Sequence, residues 1–215
     1  FYTAEDADSE GVEGKFYVWT PEEISNVLGE NKGKDFCQKY DITTGGNFEG
    51  KNISNLIRTG FMAKDTESLE KLFRAREKRV HPFKDNKILT AWNGLMIAAL
   101  ALGSRILDEP EYKQAAERAA DFILRNLRRA DGRLLARFRD GEAAFLAYAD
   151  DYSFMIWGLI ELYQATSKAD YLETALALNS DLLKYFWDDQ EGGLFQYGSD
   201  AEKLITRPKE SYDGA

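Results

Sequence analysis

The C-terminal part of the chain alternates between two kinds of apolar pattern. From Trp92 to Ile106 apolar residues lie almost all round a helical projection, and the stretch from Tyr152 to Tyr163 has the same character. A helix of this kind must be buried on most of its sides. Residues 110–128 and 170–186 instead carry one apolar stripe with charged residues opposite. They predict amphipathic helices that pack outside the first two.

These helices form an internal repeat. Leu95-Met96-Ile97 aligns with Phe154-Met155-Ile156 at a separation of 59 residues. Each unit continues through a glycine-containing turn into an extended segment, at 133–138 and 194–197, which predicts a short β-hairpin. A buried inner helix followed by an amphipathic outer helix, repeated, closes a ring or stacks as an open solenoid. The long unit with its hairpin excursions favours an all-α fold of the α/α-toroid kind.

The segment that precedes the repeat is less regular. It predicts a strand at 14–19, a helix opened by the capping box Thr20-Pro21-Glu22-Glu23, and a further helix at 66–79. We therefore divide the chain into an irregular N-terminal segment, 1–64, with a strand and short helices, and helical-hairpin repeats at 65–215.

Composition narrows the functional classes. The net charge is −9, and an acidic chain repels phosphate backbones, so nucleic acid is not an expected partner. No apolar run looks long enough to span a bilayer, so no membrane is expected. Cys37 is the single cysteine and His81 the single histidine. Cys37 is interpreted as a small buried hydrophobe, and we expect no metal and no cofactor.

In a helical toroid the N-termini of the inner helices gather at one rim. At the corresponding repeat positions the chain has carboxylates, an amide and aromatic rings: Trp92, Asn93, Asp150, Asp151, Tyr152, Tyr212 and Asp213. Rings stack on the apolar face of a sugar and carboxylates bind its hydroxyls, so this rim is the predicted site for a sugar or other small molecule. Asp150 and Asp151 are its candidate catalytic residues. Helix capping is the alternative for both, and core packing for Trp92.

The acidic start of the chain supplies further candidates. Glu5, Asp6 and Asp8 could present a pair of carboxylates, which glycoside hydrolysis requires. They lack the full spacing of a calcium loop. The alternative is a solvated turn.

Several segments together resemble one family: 1–10, 14–20, 46–52, 87–96 and 150–152. They look like the uncharacterised thioredoxin-domain proteins related to spermatogenesis-associated protein twenty. The resemblance implies an (α/α)6 toroid, similar to N-acylglucosamine 2-epimerases and six-hairpin glycosidases, preceded by a thioredoxin-like domain. It implies no established activity. We expect a cytoplasmic protein.

The sequence has no Cys-X-X-Cys, and six units would need roughly 360 residues. We therefore expect a partial toroid without the thioredoxin-like domain. The first functional hypothesis is a carbohydrate-binding or carbohydrate-modifying toroid, epimerase- or glycosidase-like. The alternative is a non-catalytic interaction or scaffold module for the thioredoxin-like domain. Whether the chain is an enzyme stays open. An open toroid leaves a helix flank bare, so we expect the chain either to self-associate through this flank or to cover it with its own N-terminal segment.

Overall fold

The computed structural model describes residues 1–60 and 65–209. The chain divides into two compact units. The N-terminal unit is Ala4–Asp85, and the helical unit is Phe1–Thr3 with the chain from Asn86 onward. The division falls later than the boundary predicted after residue 64, because the helix that follows this boundary, α3 (Thr66–Arg76), packs on the first helix of the N-terminal unit.

Three helices form most of the N-terminal unit: α1 (Pro21–Leu28), α2 (Glu30–Lys39) and α3 (Thr66–Arg76). The predicted capping box of α1 is confirmed. Thr20 Oγ1 accepts from the amide of Glu23 at 3.2 Å, and Glu23 Oε2 accepts from the amide of Thr20 at 2.8 Å. Both donors would otherwise be unpaired at the helix start.

The strand predicted at 14–19 is wrong. Gly14 has a φ of +70°, and the amide of Tyr17 donates to its carbonyl at 2.8 Å, which closes a turn. Phe16 and Val18 are buried while Tyr17 is exposed, so the alternation reflects a turn with one side in the core. Two-residue strands are paired in this unit: β1 (Ala4–Glu5) with β4 (Lys84–Asp85), and β2 (Asp8–Ser9) with β3 (Val12–Glu13).

The helical unit contains the predicted repeat: α4 (Thr90–Leu107), α5 (Pro110–Asn126), α6 (Ala149–Thr166) and α7 (Ala169–Phe186). The starts of α4 and α6 are 59 residues apart, and so are those of α5 and α7. The inner helices α4 and α6 pack along each other, while α5 packs on α4 and α7 packs on α6. This is the arrangement of helical hairpins in an α/α toroid.

The β-hairpin predicted in the first repeat is confirmed, and the β-hairpin predicted in the second repeat is not. β6 (Leu135–Arg139) pairs with β7 (Glu142–Leu146), and β5 (Ile88–Leu89) adds a third antiparallel strand. Within the described residues the segment 194–197 forms no named strand. Its backbone is used elsewhere, because Gln196 accepts from the amide of Ala149 at 3.1 Å and donates to the carbonyl of Pro208 at 2.9 Å.

Two glycines allow α4 and α6 to run parallel at very short distance. A Cβ on Gly94 would lie 2.6 Å from the carbonyl carbon of Phe154, and one on Gly158 would lie 2.7 Å from the carbonyl oxygen of Gly94. Only glycine permits backbones to approach so closely. At the opposite end of the pair, Arg105 binds Glu161 at 2.5 Å, so the helices are in register from end to end.

The helical core lies between the inner and outer helices. Ile97 of α4, Leu159 of α6, Ile123 of α5 and Leu178 of α7 are among its fully buried side chains. The opposite face of the inner helices is apolar and exposed. We call it the bare inner face, and it consists of Trp92, Leu95, Met96, Leu102, Ile106, Trp157 and Ile160.

By length and composition α4 could cross a membrane, since its mean hydropathy is 1.2 over 18 residues. This differs from the expectation that no apolar run is long enough. An inner helix that contacts α5 on one side and α6 on another needs the same apolar composition. The composition of α4 is therefore no evidence for a membrane.

Candidate functional site

The N-terminal ends of α4 and α6 lie side by side. The amide of Ala91, in the first turn of α4, donates to Oδ1 of Asp151 at 2.8 Å. Oδ2 of the same carboxylate accepts from the amide of Tyr148, just before α6, also at 2.8 Å. One carboxylate thus satisfies an unpaired donor at the start of each helix and favours both helix dipoles.

Asp151 is a structural clamp at this rim. Its side chain is 4% exposed, and both oxygens are occupied by backbone amides. Burial raises the pKa of Asp151 to about 6, against the opposing effect of the two hydrogen bonds. The capping interpretation holds for this residue, although it caps from the third position of the helix rather than from the position before it.

Asn93 also has a structural role. Its Oδ1 accepts from the nitrogen of Phe1 at 2.8 Å, and its Nδ2 donates to the carbonyls of Phe1 and Leu89 at 3.1 and 2.9 Å. The amide holds the residues at the start of the chain against the first turn of α4. Asn93 lines a cavity of about 350 Å³ beside α5, but its two amide hydrogens are already donated.

Asp150 and Trp92 differ from their neighbours because they are exposed. Asp150 lies one residue before the clamp and is exposed, with Nε2 of Gln196 at 3.4 Å from its Oδ2. Trp92 is 47% exposed, so core packing is the wrong interpretation of this side chain. A carboxylate, an amide and an indole ring are therefore accessible at the joined ends of the inner helices.

Sequence reasoning missed two further groups near this rim. Tyr148 is 37% exposed and contacts Tyr197 edge to face at 5.2 Å between ring centroids. Burial raises the pKa of Tyr148, and the negative charge of Glu202 adds to the effect. Tyr148 immediately precedes α6, so its place at the rim could have been inferred from the predicted start of that helix. Glu202 had no local signal, because it lies after α7 in a segment without regular structure.

Tyr152 is a core residue. Its side chain has no exposed surface, which contradicts the prediction that its ring lines an open mouth. The hydroxyl accepts from the amide of Leu134 at 3.1 Å and from Nη1 of Arg133. Arg133 is itself buried and donates to both oxygens of Asp200, at 2.7 and 2.9 Å. The polar end of Tyr152 thus belongs to a buried network that ties the chain after α7 to the turn after α5.

The acidic residues at the chain start lie in the N-terminal unit. Glu5 accepts from Lys84 and from the hydroxyl of Tyr17, and these hydrogen bonds lower its pKa. Asp6 Oδ1 accepts from the amide of Asp8 at 3.1 Å, which forms a local turn. These contacts agree with the solvated-turn alternative.

The remaining predicted site residues, Tyr212 and Asp213, lie outside the described residues. Over 1–60 and 65–209, no group of three or more His, Cys, Asp or Glu side chains is placed to hold a metal ion. Burial raises the pKa of Cys37, the half-buried free cysteine of α2. A raised pKa disfavours the thiolate that a nucleophile needs.

No family model matches the chain, but curated relatives do. It is 32% identical over 265 residues to spermatogenesis-associated protein 20 of Homo sapiens, covering 100% of this chain and 34% of that protein. The Rattus norvegicus protein of the same name is 32% identical over 266 residues, covering 100% and 33%. The chain therefore spans about a third of the length of these relatives.

Solved structures share its fold. Cellobiose 2-epimerase from Spirochaeta thermophila superposes with a TM-score of 0.50 at 16% identity, covering 58% of this chain and 32% of that one. The GH76 alpha-mannanase of Bacteroides thetaiotaomicron gives 0.48 at 23% identity, covering 51% and 31%. At these identities the likeness concerns the fold alone. The chain is thus an α/α-toroid protein that is similar, along its own length, to about a third of spermatogenesis-associated protein 20.

Proposed function

We propose that the helical unit binds a sugar at the rim where α4 and α6 begin. The observation that carries this proposal is the pair of adjacent acidic residues with different roles. Both carboxylate oxygens of Asp151 are hydrogen-bonded to backbone amides, whereas Asp150 remains accessible beside Gln196. Trp92, in the first turn of α4, and Tyr148, just before α6, supply exposed aromatic side chains at the same rim. Rings that stack on a pyranose, together with a carboxylate and an amide that bind its hydroxyls, suit this ligand class.

The named activities of the structural neighbours support a carbohydrate-active role without deciding the reaction. One is a cellobiose epimerase and another a mannanase, by their names. Glycoside hydrolysis needs two carboxyl groups about 5 to 9.5 Å apart. For a hydrolytic version of the proposal Asp150 is the accessible candidate at this rim. An epimerase version requires acid and base groups from outside the described residues.

A titration with sugars tests the binding proposal directly. The chain would be titrated with a panel of mono- and disaccharides, with the indole N–H of Trp92 followed by NMR and the products followed by mass spectrometry. We expect saturable shifts of the Trp92 signal with at least one sugar. Asp150→Asn should weaken this binding about ten-fold or more, because a hydrogen bond to a charged group is lost.

The matched control is Glu191→Gln, which removes a carboxylate that is 83% exposed on the turn after α7. It should leave sugar binding unchanged. Equal effects of the two substitutions, or a panel that leaves Trp92 unmoved throughout, would refute the proposal.

The bare inner face favours a second candidate function. An exposed apolar surface that includes Trp157 and Ile106, 51% and 69% exposed, is typical of a surface that packs against another protein segment. The chain would then be a non-catalytic module for the rest of the intact protein, including its expected thioredoxin-like domain. This candidate is favoured if the sugar panel gives no binding while the bare inner face becomes protected in the intact protein, as measured by hydrogen exchange.

A further inference from the structure

A cavity of about 630 Å³ opens in the N-terminal unit between α3 and residues 54–56. Its floor includes Trp19 and Phe36, which are buried in the core of this unit. Its α3 wall includes Leu69 and Phe73, which are 37% and 49% exposed. The volume falls within the range of small-molecule sites, about 300 to 1,000 Å³. Neither the sugar proposal nor the toroid fold uses this cavity.

Arg76 is the charged side chain among the residues that line the cavity. Its Nε is buried and has no hydrogen-bond partner among the described residues. The guanidinium lies 5.4, 5.9 and 5.6 Å from the ring centroids of Phe16, Tyr17 and Phe73. The rings hold the cation in place but do not neutralise it. A cation that lines an apolar cavity without a carboxylate partner favours a ligand that carries a negative charge.

A second arginine adds positive charge behind the cavity floor. The guanidinium of Arg79 lies 4.1 Å from the ring centroid of Trp19. Burial lowers the pKa of Arg79, the charge of Glu23 opposes this effect, and the charge of Arg76 adds to it. Arg79 is paired with Glu23 at 3.5 Å. Arg79 itself donates to the carbonyls of Phe16 and Val18, so it is occupied. The cavity therefore combines apolar walls with the guanidinium of Arg76.

We propose that this cavity binds a small amphipathic anion. Its apolar body, about the size of one or two rings, packs on Trp19, Phe36 and Leu72, while its carboxylate binds the guanidinium of Arg76. Inorganic phosphate or sulfate would leave the apolar walls uncovered, and a sugar would place hydroxyls against them. The proposal is independent of the sugar site, which lies in the helical unit.

The test compares two probes of the same shape, 3-phenylpropionate and 3-phenylpropanol. Each is titrated into the isotopically labelled full chain, and the Nε–H signal of Arg76 and the indole N–H signal of Trp19 are followed. Trp19 precedes the other three tryptophans and is the one in the N-terminal unit. We expect the acid to shift both signals saturably. The alcohol should bind at least about ten-fold more weakly, because it cannot form a charge-assisted hydrogen bond.

Two variants locate the anion. Arg76→Gln should reduce the affinity for the acid to that for the alcohol. Arg74→Gln should keep the affinity, because Arg74 lies on the same helix but is 75% exposed and paired with Glu70. If Arg76→Gln does not fold, the proposal is still tested by comparing the affinities of the acid and the alcohol for the unaltered chain. Equal binding of the two probes, absence of saturation, or shifts at Trp92 and Trp157 in place of Trp19 would overturn the proposal.

Discussion

A single methyl group at Gly94 should separate the two inner helices. In Gly94→Ala the new Cβ would lie 2.6 Å from the carbonyl carbon of Phe154 and 2.7 Å from the amide nitrogen of Met155. Ordinary carbon contacts are about 3.5 Å, so the helices must move apart by about 0.9 Å. Backbone atoms of a packed helix cannot rotate away as the end of a flexible side chain could.

Two destabilising effects and one stabilising effect determine how much Gly94→Ala changes the free energy of unfolding. Overpacking of a core costs about 1 to 3 kcal/mol. The hydrogen bond from Ala91 to Asp151, 2.8 Å long, lies one turn away and would stretch beyond a useful length, which costs about 1.5 to 3 kcal/mol for a charged acceptor. Replacing glycine by alanine inside a helix returns about 1 kcal/mol. We expect a net loss of roughly 1.5 to 5 kcal/mol in the free energy of unfolding.

The matched control is Gly103→Ala in the same helix. There the nearest atom to the new Cβ is Cδ2 of Tyr112 at 3.4 Å, an ordinary contact with a side chain. The substitution should be neutral or stabilise the chain by up to about 1 kcal/mol. Urea unfolding followed by circular dichroism at 222 nm measures both variants, with unchanged m-values as the condition for comparison.

A double-mutant cycle separates the two losses. Gly94→Ala and Asp151→Asn both disrupt the same hydrogen bond, so their combined effect should fall short of the sum by about 1 to 2 kcal/mol. The reasoning is refuted if Gly94→Ala unfolds at the same urea concentration as Gly103→Ala. A purely additive cycle would show that the helices accommodate the methyl group without disturbing the clamp.

Three further predictions follow from the same unit. Because the pKa of Asp151 is raised from 3.8 to about 6 on folding, its stabilisation is complete below pH 3.8 and is lost as pH rises through 6. Urea unfolding should give about 1 kcal/mol more stability at pH 5 than at pH 7 from this group. The difference should be absent in Asp151→Asn and only somewhat smaller in Asp150→Asn, because the charge of Asp150 adds to the raised pKa of Asp151. Arg133→Met should cost about 2 to 3 kcal/mol in the same assay, since its buried partners lose their donor, while the half-exposed Arg129→Met should change stability by less than about 0.5 kcal/mol. Light scattering should show self-association of the chain that Trp157→Glu abolishes; a monomeric unaltered chain would contradict this.

Much of the local structure could be predicted from the sequence, because it depends on neighbours along the chain. The 59-residue repeat and the contrast between all-round and one-sided apolar patterns located α4 to α7 within a few residues. The capping box at Thr20 marked the start of α1 for the same reason. Hydrophobic periodicity and capping act over one or two helical turns, so a single sequence carries them.

The roles of the site residues were decided by packing between distant segments. Asp150 and Asp151 are chemically identical neighbours, yet only Asp151 meets the amide of Ala91, 60 residues earlier. Tyr152 is buried because Arg133 and the chain after α7 close over it, whereas Trp92 stays exposed on the bare inner face. Local sequence determines which residues are helical and which side of the helix they occupy. What that side contacts, and therefore whether a carboxylate there is a clamp or an accessible ligand, depends on where other helices come to lie.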